Sequence, residues 1–316
     1  MVPTIIVSSG RCGSTILSQI LNEHPDIAVI QDFWSYRSNR LCLMRPNSIT
    51  GPALWRLLSK PTSRALYQFL EADMIPTALA VHGRDENVLL RTTLPALFDD
   101  PTLVLHDLQD FVSRLGHKDK SDHFNLIFAF LARLCSKPVW VERTGGSIRY
   151  LEVLLALFPN ARFLHLYRDG RNCALSMSRH PTFVYGYTKC STPQKLPDVC
   201  FALMSGGLSK FDLVAIQVGC ASEWATNVIT TRGLLNGLPA NQTLAVSFEA
   251  LLSQPRAELR RILGFILDGD HCSDAWLDAQ VPRLRIPACD YRRLDTDLAS
   301  MLTQASEKGL AEFGYL

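Results

Sequence analysis

Eight residues near the N-terminus, Ser8-Ser9-Gly10-Arg11-Cys12-Gly13-Ser14-Thr15, constrain this chain more than any other stretch. They follow a short apolar run, Thr4 to Val7, and precede a helical pattern. Strand, glycine loop and helix in that order turn backbone N–H groups and a helix N-terminus toward an anion. Two glycines let the chain approach a phosphate without a side-chain clash. Ser14 and Thr15 add hydroxyl donors, and Arg11 adds a charged planar fork. The spacing departs from the nucleotide-triphosphate loop, Gly-x-x-x-x-Gly-Lys-Ser/Thr. Ser8 stands where its first glycine belongs, and Ser14 where its lysine belongs. Taken alone, the segment also fits an ordinary strand-to-helix turn with a glycine pair.

The 316 residues suit one large α/β domain or two small ones, and 47% hydrophobic residues are enough for a sizeable core. A net charge of +2 implies no polyanion, so no nucleic-acid partner is expected. No apolar stretch approaches the roughly 18–20 residues of a membrane span. The apolar run at Thr4–Val7 has no basic residues before it and breaks at Ser8, which reads as a first strand and not a signal peptide. Nine cysteines without a Cys-x-x-Cys pair or zinc spacing point to free thiols in a reducing, cytoplasmic setting. The sequon Asn241-Gln242-Thr243 would then go unused.

Hydrophobic periodicity predicts a strand at 4–8, a helix at about 14–23 with Ile16, Leu17, Ile20 and Leu21 on one face, and a strand at 27–31. His24-Pro25 closes the helix. Residues 33–120 lack βα alternation and read as an insertion over the end of the sheet, with a short helical pattern at 61–72. Regularity returns with a helix (122–135), a strand (138–141), a helix carrying Ile148, Leu151, Leu154, Leu155 and Phe158, a strand (162–167) and a helix from Asp169 to about His180. An irregular stretch (181–206) precedes a long helix (208–232), a strand (243–247) and helices at 255–266 and 295–312. The predicted fold class is α/β, a central parallel sheet flanked by helices, in a single domain over 1–316.

A second candidate anion site is Arg168-Asp169-Gly170-Arg171, at the carboxyl end of the 162–167 strand, where parallel sheets bind ligands. Ser176, eight residues after Arg168, lies on the helix that follows, so the two side chains can grip one phosphate. The alternative is a helix cap by Asp169 flanked by surface arginines.

The two elements together resemble the paired signature of the sulfotransferases that use 3′-phosphoadenosine 5′-phosphosulfate (PAPS). Further segments are similar to that family: Asn22-Glu23-His24-Pro25-Asp26, Trp140-Val141-Glu142-Arg143-Thr144, Phe158 to Phe163, Ser247-Phe248-Glu249-Ala250-Leu251, and Phe313-Gly314-Tyr315. The matches span most of the chain outside about 33–120 and 181–240. The resemblance implies a fold of the P-loop nucleotide-binding type and transfer of a sulfuryl group from PAPS to a hydroxyl or amine, giving PAP with no metal required. The first loop (Arg11, Cys12, Gly13, Ser14, Thr15) would hold the 5′-phosphosulfate, and Arg168 with Ser176 the 3′-phosphate.

Arg11 takes the place of the family's loop Lys or Arg, and Arg143 that of a charge-stabilising lysine 25 residues before Arg168. Cytosolic phenol and steroid enzymes carry a catalytic His after the Lys-Thr pair and a Trp after the loop Thr; here these are Gly145 and Ile16. The chain is more similar to the tyrosylprotein and bacterial branch, whose basic carboxylate matches Asp32 in spacing, eight residues after His24. Asp32 is one methylene shorter than the usual Glu. Without the resemblance, Asp32 reads as a turn or cap residue. His82, His106, His117 and His123 are the other base candidates, His24 reads as structural and His165 as a core residue. Glu142 either orients Arg143 or is a strand-end charge.

The aromatics Phe33, Trp34, Tyr36, Trp55, Tyr67, Phe183, Tyr185 and Tyr187 suggest an apolar or sugar-stacking acceptor, a small molecule, lipid or carbohydrate, though such residues also fill cores. Two other readings stay open: a P-loop kinase of a small metabolite, and a non-catalytic PAP-binding protein. The sequence does not speak to oligomeric state.

Overall fold

The computed structural model describes residues 2–35, 43, 48–59, 87–180, 183–184, 210–269, 271–285 and 290–316. The expected helix at 61–72, most of the 181–206 stretch, His82, Tyr36, Tyr67, Tyr185 and Tyr187 lie outside them.

Five short strands build the central sheet: β1 (Thr4–Ser8), β2 (Ile27–Gln31), β5 (Val139–Arg143), β6 (Arg162–Tyr167) and β7 (Thr243–Ser247). Their order is β2-β5-β1-β6-β7, and every pairing is parallel. All five carboxyl ends therefore share one edge. The chain adds β2 and β5 on one side of β1 and β6 and β7 on the other, so the order reverses beside β1. That reversal opens a crevice at the strand ends. β1 and β5 are buried along their whole length, as parallel strands covered on both faces must be.

Between β2 and β5 lie β3 (Ser48–Thr50), α2 (Gly51–Leu58), α3 (Pro101–Ser113), β4 (His117–Asp119) and α4 (Lys120–Leu134). β3 and β4 form an antiparallel pair of their own. Nothing in Ser-Ile-Thr or His-Lys-Asp alternates strongly enough to predict it. α4 packs on β2 and β5. There Phe33 and Trp34, both fully buried, join a ring cluster with Phe124, Phe128 and Phe158, and Trp140 packs against Phe128 and Phe158. This cluster corrects the expectation for Phe33 and Trp34, which fill the core; Trp55, 8% exposed, does the same. Edge-to-face packing of such rings adds about 0.5–1.5 kcal/mol per pair beyond burial.

The remaining helices are α1 (Ser14–Asn22), directly after β1, and, in the second half of the chain, α5 (Leu151–Leu157), α6 (Gly170–Met177), α7 (Lys210–Asn236), α8 (Phe248–Ser253), α9 (Pro255–Leu267), α10 (Asp274–Gln280) and α11 (Thr296–Glu312). α7 packs along α11 and α6. α8 and α10 were not expected. Each is brief and opens on a serine cap, Ser247 and Ser273, whose hydroxyl accepts a backbone N–H. β5 runs two residues beyond its expected end, because Glu142 and Arg143 are buried in spite of their charge. His24 is structural, with Nδ1 accepting from the Asp26 N–H at 3.2 Å and its ring edge-on to Trp276.

His165, inside β6 and 3% exposed, is the core residue its position suggests. Burial, aided by the charge of Arg232, pushes its pKa down to about 3. An unfolded chain takes up that proton near pH 6.5, and the folded chain does not. Stability from this group is thus complete above about 6.5 and is lost as pH falls toward 3, by roughly 1.4 kcal/mol per pH unit. Denaturant midpoints measured at pH 7, 6 and 5 are expected to fall less steeply for His165→Phe than for the natural chain.

Candidate functional site

The loop after β1 turns on three left-handed residues, Gly10 (φ 84°), Arg11 (φ 57°) and Gly13 (φ 89°). The packing behind the loop gives the two glycines a role of its own, beside the approach to an anion expected of them. A Cβ on Gly10 would lie 2.4 Å from the Phe183 ring, and one on Gly13 would lie 2.2 Å from the Phe248 ring. Two aromatic rings thus pack on the bare α-carbons and hold the loop. Gly13 heads α1 without a side-chain cap, and the first turn carries no acidic residue. The leading N–H groups of that helix have no partner within the helix and suit an anion. Ser14 is buried at this first turn, Thr15 is exposed, and Cys12 is buried. Burial pushes the Cys12 and Cys173 thiols up, so both stay neutral.

The loop and the second cationic element meet. Arg11 Nε donates to Ser176 Oγ at 3.0 Å, across 165 residues of sequence. Arg168 Nη1 donates to the Arg11 carbonyl at 3.2 Å. Arg168 is only 5% exposed, with its guanidinium 5.5 Å from the centre of the Phe248 ring. Asp169 does cap α6, accepting the Arg171 N–H at 2.9 Å. The arginines beside it are not surface residues, however: Arg171 is 6% exposed and forks onto both carboxylate oxygens of Asp169.

Two strands away, the end of β2 is tied to the end of β5. Asp32 (φ 53°) donates its N–H to the Arg143 carbonyl at 2.8 Å, extending the ladder by one step. A left-handed aspartate at a strand end is unusual backbone of the kind that gathers at functional sites. Its Oδ1 accepts from Arg143 Nη1 (2.9 Å), Ser35 Oγ (2.9 Å) and the Gly145 N–H (3.0 Å). Its Oδ2 accepts from Arg143 Nη1 at 3.0 Å. The Asp32 side chain is 33% exposed and that of Arg143 only 3%. Arg143 is further bound through Nε to Ser18 Oγ and through Nη2 to Gln31 Oε1, both at 3.0 Å. Glu142 points to the other face of β5 and receives the Thr144 hydroxyl, so it holds Thr144 rather than Arg143. Burial raises its pKa well above the usual carboxylate range, with the Asp32 charge adding to the shift.

Of the histidines considered as alternatives, His123 is fully buried with Nε2 2.7 Å from the Ile49 carbonyl, and His106 and His117 are exposed on α3 and β4. Among the described residues, no group of three or more His, Cys, Asp or Glu side chains could hold a metal ion. No helix among them is long and apolar enough to cross a membrane.

A sequence profile described as the sulfotransferase family matches residues 3–267, from β1 to the end of α9. The chain belongs to the sulfotransferase family. The fold agrees: the sulfotransferase domain from the curacin biosynthetic pathway superposes with a TM-score of 0.52 at 14% identity, covering 100% of this chain and 98% of that one. The sulfotransferase domain of the Synechococcus PCC 7002 olefin synthase gives 0.50 at 17% identity, covering 99% and 95%. No curated protein sequence matches significantly. In this sulfotransferase the structure gives contacts around the loop that sequence reasoning did not assign, and it seats Phe183, expected among the acceptor aromatics, behind Gly10. Phe183 and Phe248 pack on the loop, Ser147 Oγ accepts the Ser8 N–H at 3.2 Å, and Glu249 accepts the Asp169 N–H at 3.1 Å. Phe248 and Glu249 lie in a segment that already carried the resemblance, but a contact made across 80 residues leaves no local pattern.

Proposed function

We propose that this sulfotransferase takes PAPS as its donor and transfers the sulfuryl group to a hydroxyl or amine of a small-molecule, lipid or carbohydrate acceptor. The observation that carries this reading is the meeting of the two cationic elements, Arg11 on Ser176 and Arg168 on the Arg11 carbonyl. A donor with two separated phosphate groups matches two such elements on adjacent strand ends. The uncapped start of α1, the loop amides and Arg11, Cys12, Gly13, Ser14 and Thr15 fit the 5′-phosphosulfate; Arg168 and Ser176 fit the 3′-phosphate.

PAPS supplies an activated S–O bond, which breaks as a new one forms to the acceptor oxygen or nitrogen, leaving PAP. Asp32 takes the acceptor's proton, preferably on Oδ2, the less occupied of its two oxygens. Arg11, exposed at the loop, offers a planar pair of donors to the oxygen that gathers charge. Arg143, with its nitrogens bound to Ser18, Asp32 and Gln31, contributes positive charge from within and fixes the direction of Asp32.

The test is transfer of labelled sulfate from PAPS to a panel of hydroxyl and amine acceptors. PAP should inhibit, and transfer should persist in EDTA, where a magnesium-dependent kinase would stop. Absence of transfer to every acceptor, with PAP still bound, would favour a binding protein. Arg168→Ala is expected to weaken PAP binding about 10–100-fold, the range of a charge-assisted contact. A calorimetric titration that finds the variant unchanged would remove Arg168 from the donor site.

A further inference from the structure

The last turn of the chain reaches the support of both anion elements. Tyr315 Oη donates to Glu249 Oε2 at 2.6 Å. The other oxygen of that carboxylate, Oε1, accepts the Asp169 N–H at 3.1 Å, directly after Arg168. The Tyr315 carbonyl accepts from Arg171 Nη2 at 3.1 Å, and the same nitrogen binds Asp169 Oδ2 at 2.7 Å. Tyr291 stacks beneath this fork, its ring centre 3.8 Å from the Arg171 guanidinium carbon, and its N–H donates to Asn172 Oδ1 at 2.9 Å. Glu249 follows Phe248 in the first turn of α8, and the Phe248 ring touches both Gly13 and Arg168. A side chain that fixes Glu249 therefore bears on the glycine loop and the arginine turn at once.

We propose that Tyr315 is a positioning residue for the donor site, a C-terminal latch that fixes Glu249 and the Arg168–Asp169 turn in binding geometry. The proposal rests on the donor reading given above. Burial and the neighbouring Glu249 charge raise the phenol's pKa, so Tyr315 remains a donor through the working pH range. The half-buried carboxylate is held by that donor: with the hydroxyl gone, Oε2 loses this bond and Glu249 is free to turn away from the Asp169 N–H.

The experiment compares the natural chain with Tyr315→Phe, Glu249→Ala and the double variant, by two independent readouts. In hydrogen exchange without ligand, Tyr315→Phe is expected to speed the amides of Asp169–Ser176 about tenfold and to leave those of β1 and β5 unchanged. In titration with adenosine 3′,5′-bisphosphate, it is expected to raise Kd about 5–10-fold. The donor KM should rise in step while kcat at saturating donor stays within about twofold. The double variant should bind no more weakly than Glu249→Ala alone, since both changes cut one link. Unchanged local exchange, a uniform speed-up across the whole chain, or additive losses would each overturn the latch. If the natural chain itself fails to bind the bisphosphate, the donor reading falls, and the exchange arm still decides whether Tyr315 holds the turn.

Discussion

Asp32→Asn is expected to lower turnover at saturating donor by about 10²–10⁴-fold, with PAP affinity close to that of the natural chain. Asparagine keeps the size of the side chain and the acceptor for Arg143, Ser35 and the Gly145 N–H, but cannot take a proton. The substitution also leaves Arg143, 3% exposed, without its counter-charge. A stability loss of roughly 1–3 kcal/mol should accompany it, limited because Gln31 and Ser18 still accept from the same guanidinium. These two effects separate cleanly. Rapid-quench turnover reports the proton transfer, calorimetry reports donor-product binding, and denaturation reports the ion pair. Near-normal turnover would end the assignment of Asp32 as base, whatever happens to stability.

The second large effect is expected at Gly13. Alanine there adds a Cβ 2.2 Å from the Phe248 ring at a backbone φ of 89°. The φ alone costs an L-residue about 1–2 kcal/mol. The ring has little room to yield, since it is 4% exposed and also faces the Arg168 guanidinium. Gly13→Ala should therefore lose several kcal/mol of stability and at least about 100-fold in PAP affinity, because displacing the ring disturbs both anion elements. Gly146 provides the control: its φ is 75°, but nothing lies within 4 Å of an added Cβ. Gly146→Ala should show the backbone cost alone. Thermal melts in which the two variants match would mean that the Phe248 contact is not needed.

What could be read in advance follows from the range of the interactions. β1, β2 and β6 were visible as apolar runs between turn signals, since burial on both faces writes itself into local composition; β7, at the sheet edge with only Val246 buried, showed a weaker run of the same kind. α1 and α6 were visible through their periodicity, and Asp169 as a cap. The β3–β4 pair was hidden because its residues are few and polar, and the end of β5 because it closes on two ionisable residues: Arg143 is buried by a partner 111 residues away, and Glu142 is buried against the Thr144 hydroxyl. For the same reason, the spacing of Asp32 could be matched to a family, but its ion pair with Arg143, 111 residues away, could not be foreseen. The aromatics show the limit of composition: Phe33 and Trp34 went to the core, and Phe183 to the back of a glycine. A glycine in a loop announces missing bulk, but not which neighbour takes up the room.

The neighbours at Gly10 and Gly13 bear on how the donor is captured. With a ring seated against Gly10 and another against Gly13, the cradle is braced by hydrocarbon and does not depend on an anion for its shape. Capture of the donor then involves little ordering of the backbone, so its rate should follow ionic strength, as for an encounter steered by charge, more than temperature, as for a slow rearrangement.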